Sequence, residues 1–166
     1  VKKLLAILGL FLFMAIAPVK AEAAPQLKIT AVDAEEYMSQ QDFNKAVGLA
    51  VKHYGGLVKR MGLKFENIRP IHVYFAGGYY GIYLNNVAIV IHVDSIEKDS
   101  TKEEKAKRYI YVVAHELGHH ILNEAGVSID DQHKHMYCEV DPGLAEEIGF
   151  PINFLFAMMH CMGERD

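Results

Sequence analysis

The chain has 166 residues, 51% of them hydrophobic and 23% charged, with 17 Lys and Arg against 21 Asp and Glu for a net charge of -4. That length suits one domain and excludes a large multidomain assembly, and the apolar content is too high for extensive disorder. Nor is there the basic excess of a nucleic-acid binder: the densest basic cluster, Lys102, Lys105, Lys107 and Arg108, is diluted by Glu103 and Glu104.

Residues 1–23 combine a basic start at Lys2 and Lys3, a 14-residue apolar run from Leu4 to Ala17, and the small-residue pattern Ala21-Glu22-Ala23. These are the three parts of a secretory signal peptide. The run is shorter than the roughly 20 residues that a bilayer-spanning helix needs, so cleavage is expected before Ala24. The expectation is an exported bacterial protein, secreted or periplasmic, without stable membrane insertion once cleaved. Residues 24–166 then form a single domain. In an oxidising compartment the only two cysteines, Cys138 and Cys161, are expected to pair. The chain-entropy argument values such a loop at roughly 3 kcal/mol; the alternative is two buried thiols.

Residues 24–32 read as a loose lead-in or short strand. From Asp33 to Met61 apolar residues recur at three- and four-residue spacing, which predicts a helix ending at Gly62, with a break at Gly48 or Gly55-Gly56. The alternation at Ile71–Phe75 predicts a strand, and Tyr79–Leu84 with Val87–Val93 a hairpin turning at Asn85-Asn86. Ser100-Thr101-Lys102-Glu103-Glu104 offers two overlapping capping boxes for a long helix reaching Glu124 and stopped at Ala125-Gly126. Residues 127–142 are polar and read as a loop. Short helices are expected over Pro142–Ile148 and Pro151–Met162.

Nine histidines is a high count, and five of them (His115, His119, His120, His133, His135) lie within 21 positions. His115-Glu116-Leu117-Gly118-His119 is an HExxH pattern in the middle of the long helix. Four residues make just over one helical turn, so the two imidazoles leave one face about 6 Å apart, as two ligands of one zinc ion must. Glu116, about 100° round the helix, can lie beside metal-bound water without binding the metal, which is the position of a general base.

The order strand, hairpin, then a helix carrying Ala114-His115-Glu116-Leu117-Gly118-His119-His120 resembles the zincin metallopeptidases over about residues 68–124. The resemblance implies a small α+β domain: an N-terminal helix, a mixed or antiparallel sheet of three to four strands, the active-site helix and short C-terminal helices. It further implies a Zn2+ cofactor, peptide-bond hydrolysis with Glu116 as base, and a peptide or protein substrate lying along an edge strand of the hairpin. The alternative is a zincin-like module of the cell envelope that binds metal or protein and does not cleave.

The third ligand stays open. Where metzincins carry the Gly and third His of HExxHxxGxxH this chain has Leu122 and Ala125. His133 is preferred, with His135 and Glu139 as alternatives and Glu146 or Glu147 more remote. His133 and His135 are two apart, so in an extended loop only one faces the metal. Asp130 or Asp131 would orient a ligand histidine. Tyr137 is a candidate oxyanion donor; Tyr111 reads as packing, His120 as pointing away, His72 and His92 as sheet-face residues, and His160 among Met158, Met159 and Met162 as core. Substrate preference and oligomeric state are not encoded in any motif.

Overall fold

The structure is a computed structural model that describes residues 28–64, 68–77, 81–84, 87–97 and 101–150. The signal segment, the Asn85-Asn86 turn, Ser100, the expected helix over Pro151–Met162, Cys161 and the His160 cluster lie outside them.

The protein is α+β, as the sequence pattern predicts. Strands β1 (Ile29–Val32), β2 (Ile71–Ala76), β3 (Gly81–Leu84) and β4 (Ala88–His92) form one mixed sheet in the order β1-β2-β4-β3. β2 pairs in parallel with both β1 and β4, while β3 pairs antiparallel with β4 and is an edge of the sheet among the described residues. In β2 the alternation is complete: Ile71, Val73 and Phe75 are buried while His72 and Tyr74 face out. The short lead-in reading thus resolves into a strand at Ile29–Val32.

Helix α1 (Gln40–Arg60) starts later than expected, because Ser39 rather than Asp33 caps it, its Oγ accepting from the Asp42 N–H at 3.1 Å. It runs unbroken through its glycines. A stripe of Phe43, Ala46, Ala50, Tyr54, Leu57 and Val58 buries one side against the core, and burial outweighs the roughly 1 kcal/mol that an interior glycine costs a helix. Gly62, at φ +71°, ends it.

After a single turn, α2 (Asp94–Glu97), comes α3 (Lys102–Glu124). Of the two overlapping capping boxes the Thr101–Glu104 box is formed: the Glu104 N–H donates to Thr101 Oγ1 at 3.3 Å and the Thr101 N–H to Glu104 Oε2 at 2.8 Å. Gly126 at φ +85° lets the chain leave the helix, as expected. α3 packs along α1 on one side and against β3 and β4 on another. It is the element around which Leu117, Ile121 and Leu122 meet Ile71, Ile89 and Ile91 in the core.

The segment read as a loop is helical, and this corrects the sequence reading. Ser128 caps α4 (Ile129–His135), accepting from the Asp131 N–H at 3.2 Å; a wide π-helical turn, Met136–Val140, then leads into α5 (Asp141–Ile148). The inward side of this arm is Gln132, Met136, Val140, Leu144 and Ile148, all buried and all four residues apart. In a regular α-helix a four-residue repeat drifts about 40° per step. The wide turn takes up part of that drift and keeps the stripe facing the core. Among the described residues no helix is long and apolar enough to cross a membrane.

Candidate metal centre

His115 and His119 project from the same face of α3, their ring centroids 5.1 Å apart and their planes nearly perpendicular. The third imidazole at this place is His133, from α4, with its centroid 4.8 Å from that of His119. Each of the three offers one nitrogen, and these nitrogens lie within 4.8 Å of one another. His115 and His119 are buried while His133 is exposed, so the cluster opens to solvent on the arm side.

His135 is not part of the cluster. Two residues advance a helix by about 200°, so in α4 His135 points away from His133, and its Nδ1 pairs with Glu139 at 2.6 Å. The separation anticipated for an extended loop holds on a helix for a different reason. Glu146 is exposed, and Glu147 is occupied by Lys52 at 2.8 Å and His53 at 2.7 Å on the far side of α5.

The outer nitrogens are fixed. His115 Nδ1 lies 3.0 Å from Asp141 Oδ2, and His119 Nδ1 lies 2.9 Å from Gln132 Oε1. The Gln132 amide is oriented in turn, since its Nε2 donates to the Val127 carbonyl at 2.9 Å and so presents the oxygen to His119. Both acceptors demand a proton on Nδ1, which leaves the Nε2 lone pairs free for a cation. Three neutral nitrogen donors, two of them oriented and buried, suit zinc in the three-ligand form that keeps a position open.

Asp141 and Gln132 escape a motif search. Asp141 precedes Pro142 and looks like a helix cap, and Gln132 is a lone amide in a polar stretch. Of the two residues expected to orient a ligand, Asp130 is exposed and Asp131 instead closes the α4 cap, accepting from Ser128 Oγ at 2.5 Å. Its four-residue register with Met136 and Val140 was the one signal in the sequence for Gln132.

Electrostatics separate the two α3 histidines. Burial pushes His119 down to about 4, helped by the neighbouring His115 and His133, against a smaller upward pull from Gln132. Burial also pulls His115 down, yet the charge and hydrogen bond of the Asp141 carboxylate, with the Glu116 charge, together outweigh it and hold His115 above its ordinary value. Asp141 is fully buried and still held below the usual carboxylate range: burial opposes this, but His115 and the hydroxyls of Tyr54 and Tyr111 stabilise its charge.

Glu116 is buried at the side of the cluster, and burial raises its pKa. Its carboxylate accepts a hydrogen bond from the Tyr83 backbone on edge strand β3. The Tyr83 ring stacks on His119 at 6.2 Å, and its hydroxyl reaches His120 Nδ1 at 3.3 Å. His120 therefore points inward, fully buried, with its Nε2 on the Arg69 carbonyl at 2.9 Å; it ties α3 to β3 and to the entry of β2. Tyr137 lies across the cluster, its ring 5.6 Å from His115 and 5.5 Å from His133. Tyr111, read as packing, both stacks on His115 at 5.9 Å and donates to Asp141 Oδ2 at 3.2 Å. His72 faces out, as expected, and His92 is half-buried with its Nδ1 2.9 Å from the Gly77 carbonyl. No protein-family model fits this chain, and no curated protein or solved structure matches it, which leaves the chemistry of the site itself to carry the functional reading.

Proposed function

We propose that the protein is an exported zinc-dependent hydrolase that cleaves peptide bonds. The observation that carries this reading is the placement of His115, His119 and His133 round one point, with the Glu116 carboxylate buried beside them. A surface pair of histidines would have no need of Asp141 and Gln132 behind it, nor a metal scaffold of Glu116.

His115, His119 and His133 would hold the ion. Bound there, zinc supplies Lewis acidity, polarising a carbonyl and bringing the pKa of water near 7. Glu116 takes the proton from the attacking water and returns it to the leaving amine; its burial raises its affinity for that proton. Tyr83 holds the Glu116 carboxylate through its backbone. The antiparallel strand β3, last in the sheet among the described residues and next to α3, is where an extended peptide would lie alongside the site as an added strand. Tyr137, whose ring lies 5.6 Å from that of His115, is the candidate to donate to the developing oxyanion.

The test is zinc content by mass spectrometry together with cleavage of casein and of a mixed peptide library, for the wild type and E116Q. The expected result is about one zinc per chain in both and a fall in kcat of roughly 10²- to 10⁴-fold in E116Q. Equal cleavage by the two proteins would remove Glu116 as the base. Zinc in both with cleavage by neither would favour a metal-binding envelope module.

A further inference from the structure

We infer that Tyr54, on the helix α1 far from the motif in sequence, is a positioning residue for the metal centre, and that Gly118 is the opening through which it reaches that centre. The inference rests on the metal-centre reading above and adds to it a residue with no place in the HExxH pattern.

Asp141 is a fully buried carboxylate, and such a group is tolerable only when its oxygens are taken by donors. Two of its donors lie on α3: His115 Nδ1 at 3.0 Å and Tyr111 Oη at 3.2 Å, both on Oδ2. Oδ1 is taken by Tyr54 Oη at 2.5 Å, across 87 positions of chain. Oδ2 alone leaves the carboxylate free to swing about its Cβ–Cγ bond. The Tyr54 bond to Oδ1 fixes the plane, and the plane fixes where His115 must aim its Nδ1–H. His119 is treated in the same way by different groups: its acceptor Gln132 is locked by a second bond, to the Val127 carbonyl. In both cases the group that orients a ligand is itself oriented.

Gly118 shows what this arrangement demands of α3. A Cβ there would lie 2.5 Å from Tyr54 Cζ and 2.6 and 2.7 Å from the flanking ring carbons, closer than real contacts come. The carbon it would strike is the one that bears the hydroxyl. Any side chain at 118 therefore forces a shift between the Tyr54 ring and α3, the two elements whose hydroxyl and imidazole meet on Asp141. The glycine sits inside the motif because the tyrosine passes over the helix at that turn.

Tyr54→Phe keeps the ring against Gly118 and removes only the hydroxyl. Tyr109→Phe is the matched control, since Tyr109 is equally buried and donates to another carboxylate, Glu97, at 2.8 Å. Both variants lose the hydrogen bond of a buried tyrosine and are expected to unfold at lower temperature. Zinc affinity, by competition with a chromophoric chelator, and the visible spectrum of the cobalt-substituted full chain separate them. Y54F is expected to bind zinc about tenfold more weakly with shifted cobalt bands, D141N to lose roughly 10- to 100-fold, and Y109F to stay within about twofold of wild type. Zinc affinity and cobalt bands in Y54F indistinguishable from those of Y109F would overturn the inference and leave the metal reading intact. A wild-type protein that takes up neither metal would overturn both.

Discussion

Two stretches supply the candidate centre, and they are built in opposite ways. The α3 stretch from Ala114 to Leu122 is buried at every residue, and its histidines are placed by one regular helix. The arm from Ile129 to Ile148 has a single buried stripe, a short helix and a wide turn, yet it contributes His133, Gln132 and Asp141. Where position follows from local periodicity, a motif suffices to find the ligands. Where it depends on how a polar segment docks, the ligand and both orienting groups stay hidden until the fold is known.

The largest expected effect divides the two arm histidines. H133A should weaken zinc binding at least about a hundredfold, since a structural zinc site derives some 10–16 kcal/mol from its full ligand set and one lost ligand forfeits a substantial fraction. H135A, turned the other way by the helix, should keep the wild-type zinc content. Titration with a competing chelator decides it, and equal losses in the two variants would mean that the arm does not hold the helical phase given by α4.

Next in size is a pH effect that sets one α3 histidine against the other in the metal-free protein. The folded-state pKa of His119 is depressed to about 4 from an ordinary 6.5, so between these values the unfolded chain binds more protons. Stability from this group is therefore lost as pH falls from about 6.5 to about 4, by on the order of 3 kcal/mol. His115 is shifted upward by Asp141, so its contribution has the opposite sign: it is present below 6.5 and lost as pH rises through its raised value. Thermal unfolding of zinc-free protein from pH 4 to 7 should show a slope that H119A flattens. An unchanged slope in H119A would assign the acid sensitivity elsewhere.

Much of the scaffold was legible because it is local. The Thr101–Glu104 box, the glycine at 126 and the in-out alternation of β2 each reflect hydrogen bonds or burial within a few residues. The parallel pairing of β2 with both β1 and β4 was not legible, since a period of two identifies a strand without naming its partners. The polar arm read as a loop because its exposed side, with Asp130, Lys134 and Glu139, dominates its composition. Its Ser128-x-x-Asp131 cap was present to be read. Asp141 and Tyr54 could not have been joined, because 87 residues separate them and only the crossing at Gly118 brings them together.

The smallest expected effect asks what holds the wide turn of the arm. Outside it, His135 and Glu139 pair across the turn at 2.6 Å, with side chains 25% and 46% exposed. Inside it, Met136 and Val140 are buried against the core. An exposed pair four residues apart contributes about 0.5 kcal/mol or less, whereas emptying a fully buried methionine site costs about 2–5 kcal/mol. E139A should thus leave the midpoint of urea unfolding almost unchanged, and M136A should move it well down. If the order is reversed, the turn is held by its surface pair, and the arm is an attachment clamped from outside rather than a continuation of the core that carries α3.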